Sequence, residues 1–372
     1  MIYISTVETG TSLGVSNKIM MQCRAFEKIG FEVENFSSGI RSLRGQFDKA
    51  NPLSYGINYR IIKRKIIQSS KSTIDYCYVR WAPTSRGLID VLKTLKEIHP
   101  NVKIILEIPT YPYKQELKGL INVPNAIRDY LFHNQLKKYV DIIVTPSPLG
   151  ETKEIHGIKA MEIKNGIDID VVKARTIVEH NESVINIIGV ALLAPCHGYE
   201  RIIEGISKYY QCRDLNEPEI NFYVIGEGSA KQDLQSLTKT LHLEDRIIFT
   251  GRKEGKELDE YYGLADIGVG SLGMYKLNWF GTENSLKTRE YCAKGLPFIT
   301  TNIDVTFNRG DFDYCYVADN KDMIINIHEV ICFLMNLRNR YSDTQIIKNM
   351  RCYADMNVSW TKIMEEILVN LE

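Results

Sequence analysis

Short apolar runs alternate with amphipathic helical stretches along most of the 372-residue chain, and the alternation occurs twice. In the first pass Ile2-Tyr-Ile-Ser reads as a strand. Gly14-Val-Ser16 then leads into a helix to about Lys28, which Gly30 caps. Phe31-Glu-Val, Asp75 to Arg80, Val102 to Glu107 and Ile142-Ile-Val-Thr read as further strands, with a helix over Leu88 to Ile98. In the second pass strands are expected at Val184 to Ile188, Ile220 to Gly226, Ile247 to Gly251 and Asp266 to Gly270. Helices lie between them at Tyr199 to Tyr210, Ala230 to Leu241 and Leu258 to Leu264. This rhythm predicts parallel, doubly wound sheets with helices on both faces. The polar stretch 170–183 reads as the link between two Rossmann-like halves. Expected boundaries are 1–170, 171–355 and a last helix over 356–372 that packs back on the first half.

Composition narrows the class. The 44% hydrophobic and 25% charged content is that of a globular protein. No run of eighteen apolar residues occurs, and the first residues read as a strand and not as a signal peptide. The eight cysteines form no CxxC pair, which favours reduced thiols in a cytoplasmic protein over metal ligation. Residues 1–180 hold 26 basic against 18 acidic side chains, a net of +8, and the remainder of the chain balances it. A basic first half suits an anionic partner, and Arg60-Ile-Ile-Lys-Arg-Lys-Ile-Ile67 suits an anionic membrane surface. A solvated basic face explains that block equally well. Nothing points to nucleic acid.

Chemistry concentrates in Gly281-Thr-Glu-Asn-Ser-Leu-Lys-Thr-Arg-Glu-Tyr-Cys-Ala-Lys-Gly-Leu-Pro297. A polar loop opens a helix at Ser285 and Leu286, Gly295 ends it, and Phe298 to Thr301 follows as a strand. The free N–H groups of such a helix start attract phosphate. Lys287 and Arg289 add positive charge, and Glu290 one turn on suits sugar hydroxyls. Weaker elements lie at other strand ends. Gly14 and Val15 open the first helix. His197 and Arg201 follow the strand at 184–188. Gly226 and Gly228 form a turn that is a poor dinucleotide fingerprint, since no third glycine follows. Arg252 and Lys253 follow Gly251. Each has an ordinary reading as a turn or a solvated side chain.

Taken in order, these segments resemble the family 4 glycosyltransferases. The resemblance rests on Gly14-Val-Ser, Lys164-Asn-Gly-Ile-Asp168, Gly189 to Arg201, Gly226-Glu-Gly228, Phe249-Thr-Gly251, Leu264-Ala-Asp266 and Ser285 to Pro297. It implies the GT-B fold, two Rossmann-like domains facing across a cleft. It also implies retaining transfer of a sugar from a nucleotide diphosphate sugar, with no metal or other cofactor. Lys287, Glu290 and His197 become catalytic candidates. Gly14, Val15, Arg201, Gly226, Gly228, Arg252, Lys253, Glu283, Ser285, Leu286 and Arg289 become donor-binding candidates. Glu107-Ile-Pro-Thr-Tyr-Pro-Tyr113 resembles an acceptor-side loop of bacterial polysaccharide-building members, making Thr110, Tyr111 and Tyr113 acceptor residues.

The implied acceptor is a glycan or a polyprenyl-diphosphate-linked glycan, and the implied place is the cytoplasm, peripheral at the inner face of the membrane. The sequence departs from the family pattern at three positions. Leu192 and His197 stand where an Arg and a Lys five residues apart are usual, and Thr282 stands where a Glu is usual, with Glu283 one residue displaced. Those departures keep two alternatives open: a non-catalytic partner subunit that binds nucleotide sugar or glycan, and a nucleotide-sugar 2-epimerase.

Overall fold

The computed structural model describes residues 1–7, 14–37, 54–69, 73–115, 117, 122–178, 183–277, 284–307 and 310–371. The chain forms two units, Met1–Lys164 with Trp360–Glu372, and Asn165–Ser359. The junction residues expected to end the first half belong to the second. Asn165 donates from Nδ2 to the Asn284 carbonyl at 2.7 Å, and Ile167 bridges to Ser359 in parallel register.

Unit 1 runs β1 (Ile2–Ser5), α1 (Gly14–Ile29), β2 (Glu34–Ser37), α2 (Ser54–Gln68), β3 (Tyr76–Arg80), α3 (Arg86–Ile98), β4 (Lys103–Glu107), α4 (Val123–Phe132), β5 (Ile142–Thr145), β6 (Glu154–Ile155) and β7 (Ile158–Glu162). The sheet order is β2-β1-β3-β4-β5-β7-β6, parallel except where β6 meets β7. β1 and β5 are buried along their whole length, as strands covered on both faces must be. The connection from β1 to β2 runs one way along the sheet and those through α2, α3 and α4 run the other. Right-handed crossovers therefore put α1 on one face and the other three on the opposite face. α2 packs on α3 and α3 on α4. Ser85 caps α3 by accepting from the Leu88 amide. The C-terminal helix α11 (Trp360–Val369) packs on α1, and the Lys18 ammonium lies 5.2 Å from the buried Trp360 ring.

Unit 2 runs β8 (Val184–Val190), α5 (Glu200–Cys212), β9 (Glu219–Ile225), α6 (Lys231–Thr240), β10 (Ile247–Gly251), α7 (Gly255–Leu264), β11 (Ile267–Val269), α8 (Leu286–Lys294), β12 (Phe298–Thr301), β13 (Cys315–Ala318), α9 (Ile327–Arg340) and α10 (Asp343–Asn357). The sheet is parallel throughout, in the order β10-β9-β8-β11-β12-β13. Its core is mainly aliphatic, with Ile187, Ile202, Ile206, Val224 and Ile267 fully buried around Phe222. The winding reverses between β8 and β11. At such a switch point the loops leaving the carboxyl ends of the strands diverge and open a crevice for ligands. Those loops are Val190–Tyr199 and Gly270–Ser285, the second described outside 278–283.

Candidate active site

Lys287 occupies the first turn of α8, at the switch point of unit 2. Ser285 holds extended backbone before the helix, and its side chain accepts no bond from the helix amides. Lys287 Nζ lies 2.8 Å from His197 Nδ1 and donates to the Gly270 carbonyl at 3.4 Å. It also stands 5.5 Å from the centroid of the Tyr199 ring. The segments leaving two strand ends, β8 and β11, thus fix one ammonium group. Gly189 makes this possible one layer down. A Cβ there would stand 2.7 Å from Tyr199 Cζ, so only glycine in β8 leaves room for that ring.

His197 has a defined tautomer. Its Nε2 lies 2.9 Å from the Leu192 carbonyl oxygen, which only accepts, so Nε2 carries the proton. Nδ1 therefore offers a lone pair to the Lys287 ammonium, with Ser271 Oγ 3.4 Å away. Burial and the neighbouring Lys287 charge push the imidazole down to about 3, against a small opposing pull from the Leu192 carbonyl. His197 is thus neutral at physiological pH. It supplies no positive charge of its own and orients the Lys287 ammonium. The Leu272 and Gly273 amides donate to the His197 and Cys196 carbonyls at 2.9 and 3.1 Å, locking the two loops together.

Glu290 follows one turn later on α8. Its Oε1 accepts from the buried Tyr262 hydroxyl at 3.0 Å. Burial raises its pKa, while the Tyr262 hydrogen bond and Lys294 pull it back. The carboxylate is half-buried and retains acceptor capacity for hydroxyl groups.

Several expected ligand residues are structural instead. Arg289 is fully buried and ion-paired to the equally buried Asp304 at 2.7 Å. It also donates to Thr306 Oγ1, Thr288 Oγ1 and Asn284 Oδ1, and lies 5.1 Å from the Phe307 ring centroid. Its guanidinium faces the protein, so the expected donor contact does not hold. Arg201 is likewise buried, donating to the carbonyls of Leu272, Asp319 and Met323. It braces the Gly270–Gly273 loop from behind and is not a diphosphate ligand.

Gly226 and Gly228 bring backbone close to other backbone. A Cβ at Gly226 would sit 1.8 Å from the Ala191 carbonyl oxygen, and one at Gly228 2.2 Å from that of Leu193. Arg252 pairs with Glu254, and Lys253 with Glu257 at 3.3 Å. Ser285 and Leu286 are half-buried at the start of α8. Gly14 and Val15 open α1 in unit 1, and no atom of the described residues lies within 4 Å of the Gly14 Cβ position. Glu283 lies outside the described residues.

The expected acceptor loop is pinned at both ends in unit 1. Glu107 closes β4, wholly buried, accepting from Lys18 and Arg80 at 2.8 Å each through Oε1. Oε2 accepts from Gln22 at 2.8 Å and Tyr78 at 2.7 Å. Burial alone would raise this carboxyl, but Lys18 and Arg80 prevail and hold it down to about 2. At the other end Tyr113 is 5% exposed, packed on Trp81, donating to Asp129 Oδ2 at 3.0 Å with His156 Nε2 at 2.7 Å. That corrects its expected acceptor role. Thr110 is exposed and Tyr111 half-buried, its amide donating to Ser147 Oγ at 2.8 Å.

Sequence reasoning passed over Tyr262, Tyr199, Ser271, Asp304 and Thr306. Gly189, which leaves room for the Tyr199 ring, and Gly270, next to Ser271, were the available signals for those two. Nothing in the local sequence marks Asp304. Among the described residues no group of three or more His, Cys, Asp or Glu side chains is placed to hold a metal ion. Nor is any described helix long and apolar enough to cross a membrane.

Residues 184–332 match the family model described as glycosyl transferases group 1. No curated protein sequence matches the chain. Solved structures match it over nearly their whole length. The catalytic domain of starch synthase IV from Arabidopsis thaliana, bound to ADP and acarbose, is 12% identical with a TM-score of 0.66, covering 100% of this chain and 98% of that one. WaaG, a glycosyltransferase involved in lipopolysaccharide biosynthesis, is 13% identical with a TM-score of 0.60, covering 99% of both chains. Anabaena HepE in complex with UDP and glucose is 12% identical with a TM-score of 0.59, covering 100% and 98%. The fold is GT-B, as these neighbours have it.

Proposed function

We propose that this chain, a group 1 glycosyltransferase through its domain at 184–332, moves a sugar from a nucleotide diphosphate sugar to a glycan or polyprenyl-diphosphate-linked acceptor. One observation carries the reading. The Lys287 ammonium is held by neutral His197 and the Gly270 carbonyl beside the opening amides of α8, at the switch point of the sheet. The donor diphosphate lies on that helix start, and Glu290 accepts hydrogen bonds from the ribose hydroxyls. UDP and ADP in HepE and starch synthase IV support a diphosphate ligand.

As the glycosidic C–O bond breaks, its electron pair passes to the leaving phosphate oxygen. Fixed donors aimed at that oxygen stabilise the transition state, each by about 3–4 kcal/mol where comparable donors have been removed. Lys287 supplies one such donor and the α8 amides supply others. The acceptor hydroxyl attacks the same face of the sugar and yields its proton to the leaving phosphate, so the configuration is retained. No protein nucleophile and no metal enter the scheme. The setting proposed is surface polysaccharide assembly at the inner membrane face; the neighbour WaaG is involved in lipopolysaccharide biosynthesis.

The test is turnover with UDP-, ADP- and GDP-sugars and a panel of glycan acceptors. One donor is expected to be consumed, with a strong loss of rate in Lys287→Ala. A folded Lys287→Ala variant with near-normal turnover removes Lys287 from the chemistry. A second reading, a non-catalytic partner subunit, is favoured by Leu192, which is 80% exposed and apolar where the family usually carries an Arg. That subunit binds nucleotide and transfers nothing until an active homologue is added.

A further inference from the structure

A cavity of about 560 Å³ opens in unit 2 between α5, the edge strand β13 and the segment that leads into α9. That volume is ordinary for a small-molecule site. Along α5 its lining runs from Arg201 to Cys212, about 16 Å of helix, so the space is elongated. Lys287, His197 and Glu290 do not line it. Its outer wall is fixed in advance. Arg201 donates to the Asp319 and Met323 carbonyls on that wall and to the Leu272 carbonyl on the active-site loop. The Ile325 amide donates to the Arg201 carbonyl at 3.0 Å. Tyr275 holds the same segment, its hydroxyl donating to Asp322 Oδ1 at 2.9 Å and its amide to Asn320 Oδ1 at 3.1 Å. A wall tied at so many points needs little reordering when a ligand enters, which lowers the cost of binding.

The lining indicates the chemistry of the ligand. Two neutral donors aim the Glu329 carboxylate, the Tyr316 hydroxyl at 2.6 Å on Oε2 and Asn326 Nδ2 at 2.9 Å on Oε1. Each oxygen keeps a lone pair for a further donor. Among the described residues no cation pairs with Glu329, and Lys208 on α5 pairs with no anion. The charges on the lining balance, Arg201 and Lys208 against Asp319 and Glu329. An anionic ligand would meet those two carboxylates. It would also meet the field of Glu200 and Asp322, which together with burial raises the Glu204 carboxyl beside the cavity helix. A cationic ligand would meet Lys208 and Arg201. Hydroxyl groups donate and accept at once and carry no charge, so they suit both Glu329 and Lys208. Val317, Met323 and Ile324 supply apolar surface between these polar points, against which the C–H face of a sugar ring can pack. We infer that this cavity is a second carbohydrate site, binding a neutral oligosaccharide apart from the donor crevice.

The site goes beyond the proposed transfer and does not depend on it. Cys212 gives a direct readout, since its thiol is exposed on the cavity wall, while Cys332 and Cys352 are exposed elsewhere and serve as controls. The experiment follows alkylation of each cysteine of the full chain by iodoacetamide, resolved by peptide mass spectrometry. Maltotriose, cellotriose, chitotriose and mannotriose are the probes, each with and without saturating UDP. At least one trisaccharide should slow Cys212, by about tenfold at ten times its dissociation constant, and leave Cys332 and Cys352 unchanged. UDP should not relieve that protection. Glu329→Ala and Lys208→Ala should each raise the half-protecting concentration about tenfold, the share of a charge-assisted hydrogen bond, at the wild-type melting temperature. Four outcomes would each overturn the inference: no trisaccharide slows Cys212, all three cysteines slow together, UDP abolishes the protection, or both variants protect like the wild type. No sugar transfer enters the measurement, so protection of Cys212 in a protein that transfers nothing would sink the transferase reading and leave this site standing.

Discussion

Replacing Arg289 by Met should unfold unit 2 more readily without acting through ligand. The guanidinium and the Asp304 carboxylate are both fully buried, 2.7 Å apart. Removing the cation leaves Asp304 in a dry interior with Thr288 Oγ1 as its remaining side-chain donor among the described residues, at 2.9 Å. An uncompensated buried charge of this kind costs about 3–5 kcal/mol. For a unit of this size each kcal/mol lowers the melting temperature by about 2–4 °C, so a drop of about 6–20 °C is expected. Arg289→Met combined with Asp304→Leu removes both charges and should recover most of the loss, because a buried pair exchanged for apolar groups is often neutral. Thermal unfolding of wild type, both single variants and the double variant forms a cycle that isolates the coupling. Nucleoside diphosphate affinity is measured on the same four proteins below their melting points. Arg289→Met melting with the wild type yet losing diphosphate affinity would refute the reasoning and make Arg289 a ligand residue.

Three further outcomes follow from the site chemistry. His197 stays neutral in the folded chain while an unfolded imidazole protonates near pH 6.5, so its contribution is full above that pH. It falls as pH drops towards about 3, by at most about 2 kcal/mol at pH 5, and His197→Asn should flatten that part of the stability curve. Glu107 works through the other ionisation: its held-down carboxyl stabilises unit 1 above about pH 4.5 and that stabilisation is lost as pH falls towards about 2, a dependence that Glu107→Gln should remove from acid unfolding curves. Tyr262→Phe frees the Glu290 carboxylate and should weaken nucleotide binding less than Glu290→Ala does; calorimetry showing no loss in either variant would place Glu290 outside the donor site.

Much of the fold was legible because apolar runs are bracketed by glycine and proline. α8 over Leu286–Lys294, β5, β10 and β12 lie where the pattern places them. β2 begins three residues after Phe31, and Phe31 packs edge-on against Phe26 instead of opening the strand. α4 was unreadable because its polarity is reversed, with Asp129 inside and Leu131 outside. The short β6–β7 hairpin turns on His156 and Gly157, both at positive φ, and two-residue strands carry no periodic signal. In the site, Lys287 and His197 meet at 2.8 Å, and Glu290 sits one turn further along α8 against Tyr262. Arg289 and Arg201 misled for a physical reason: a sequence displays an arginine's charge but not its partner. Asp304 lies fifteen residues away in unmarked sequence, and the carbonyls that Arg201 holds carry no sequence identity at all.

Calorimetric titration of UDP, ADP and GDP into wild type and Lys287→Ala tests the central claim most directly. One diphosphate should bind the wild type, and its affinity should fall at least about tenfold in the variant, the share of a charge-assisted hydrogen bond. Equal affinity in the two proteins, with both folded, would contradict the assignment of the α8 start and its lysine to the departing diphosphate.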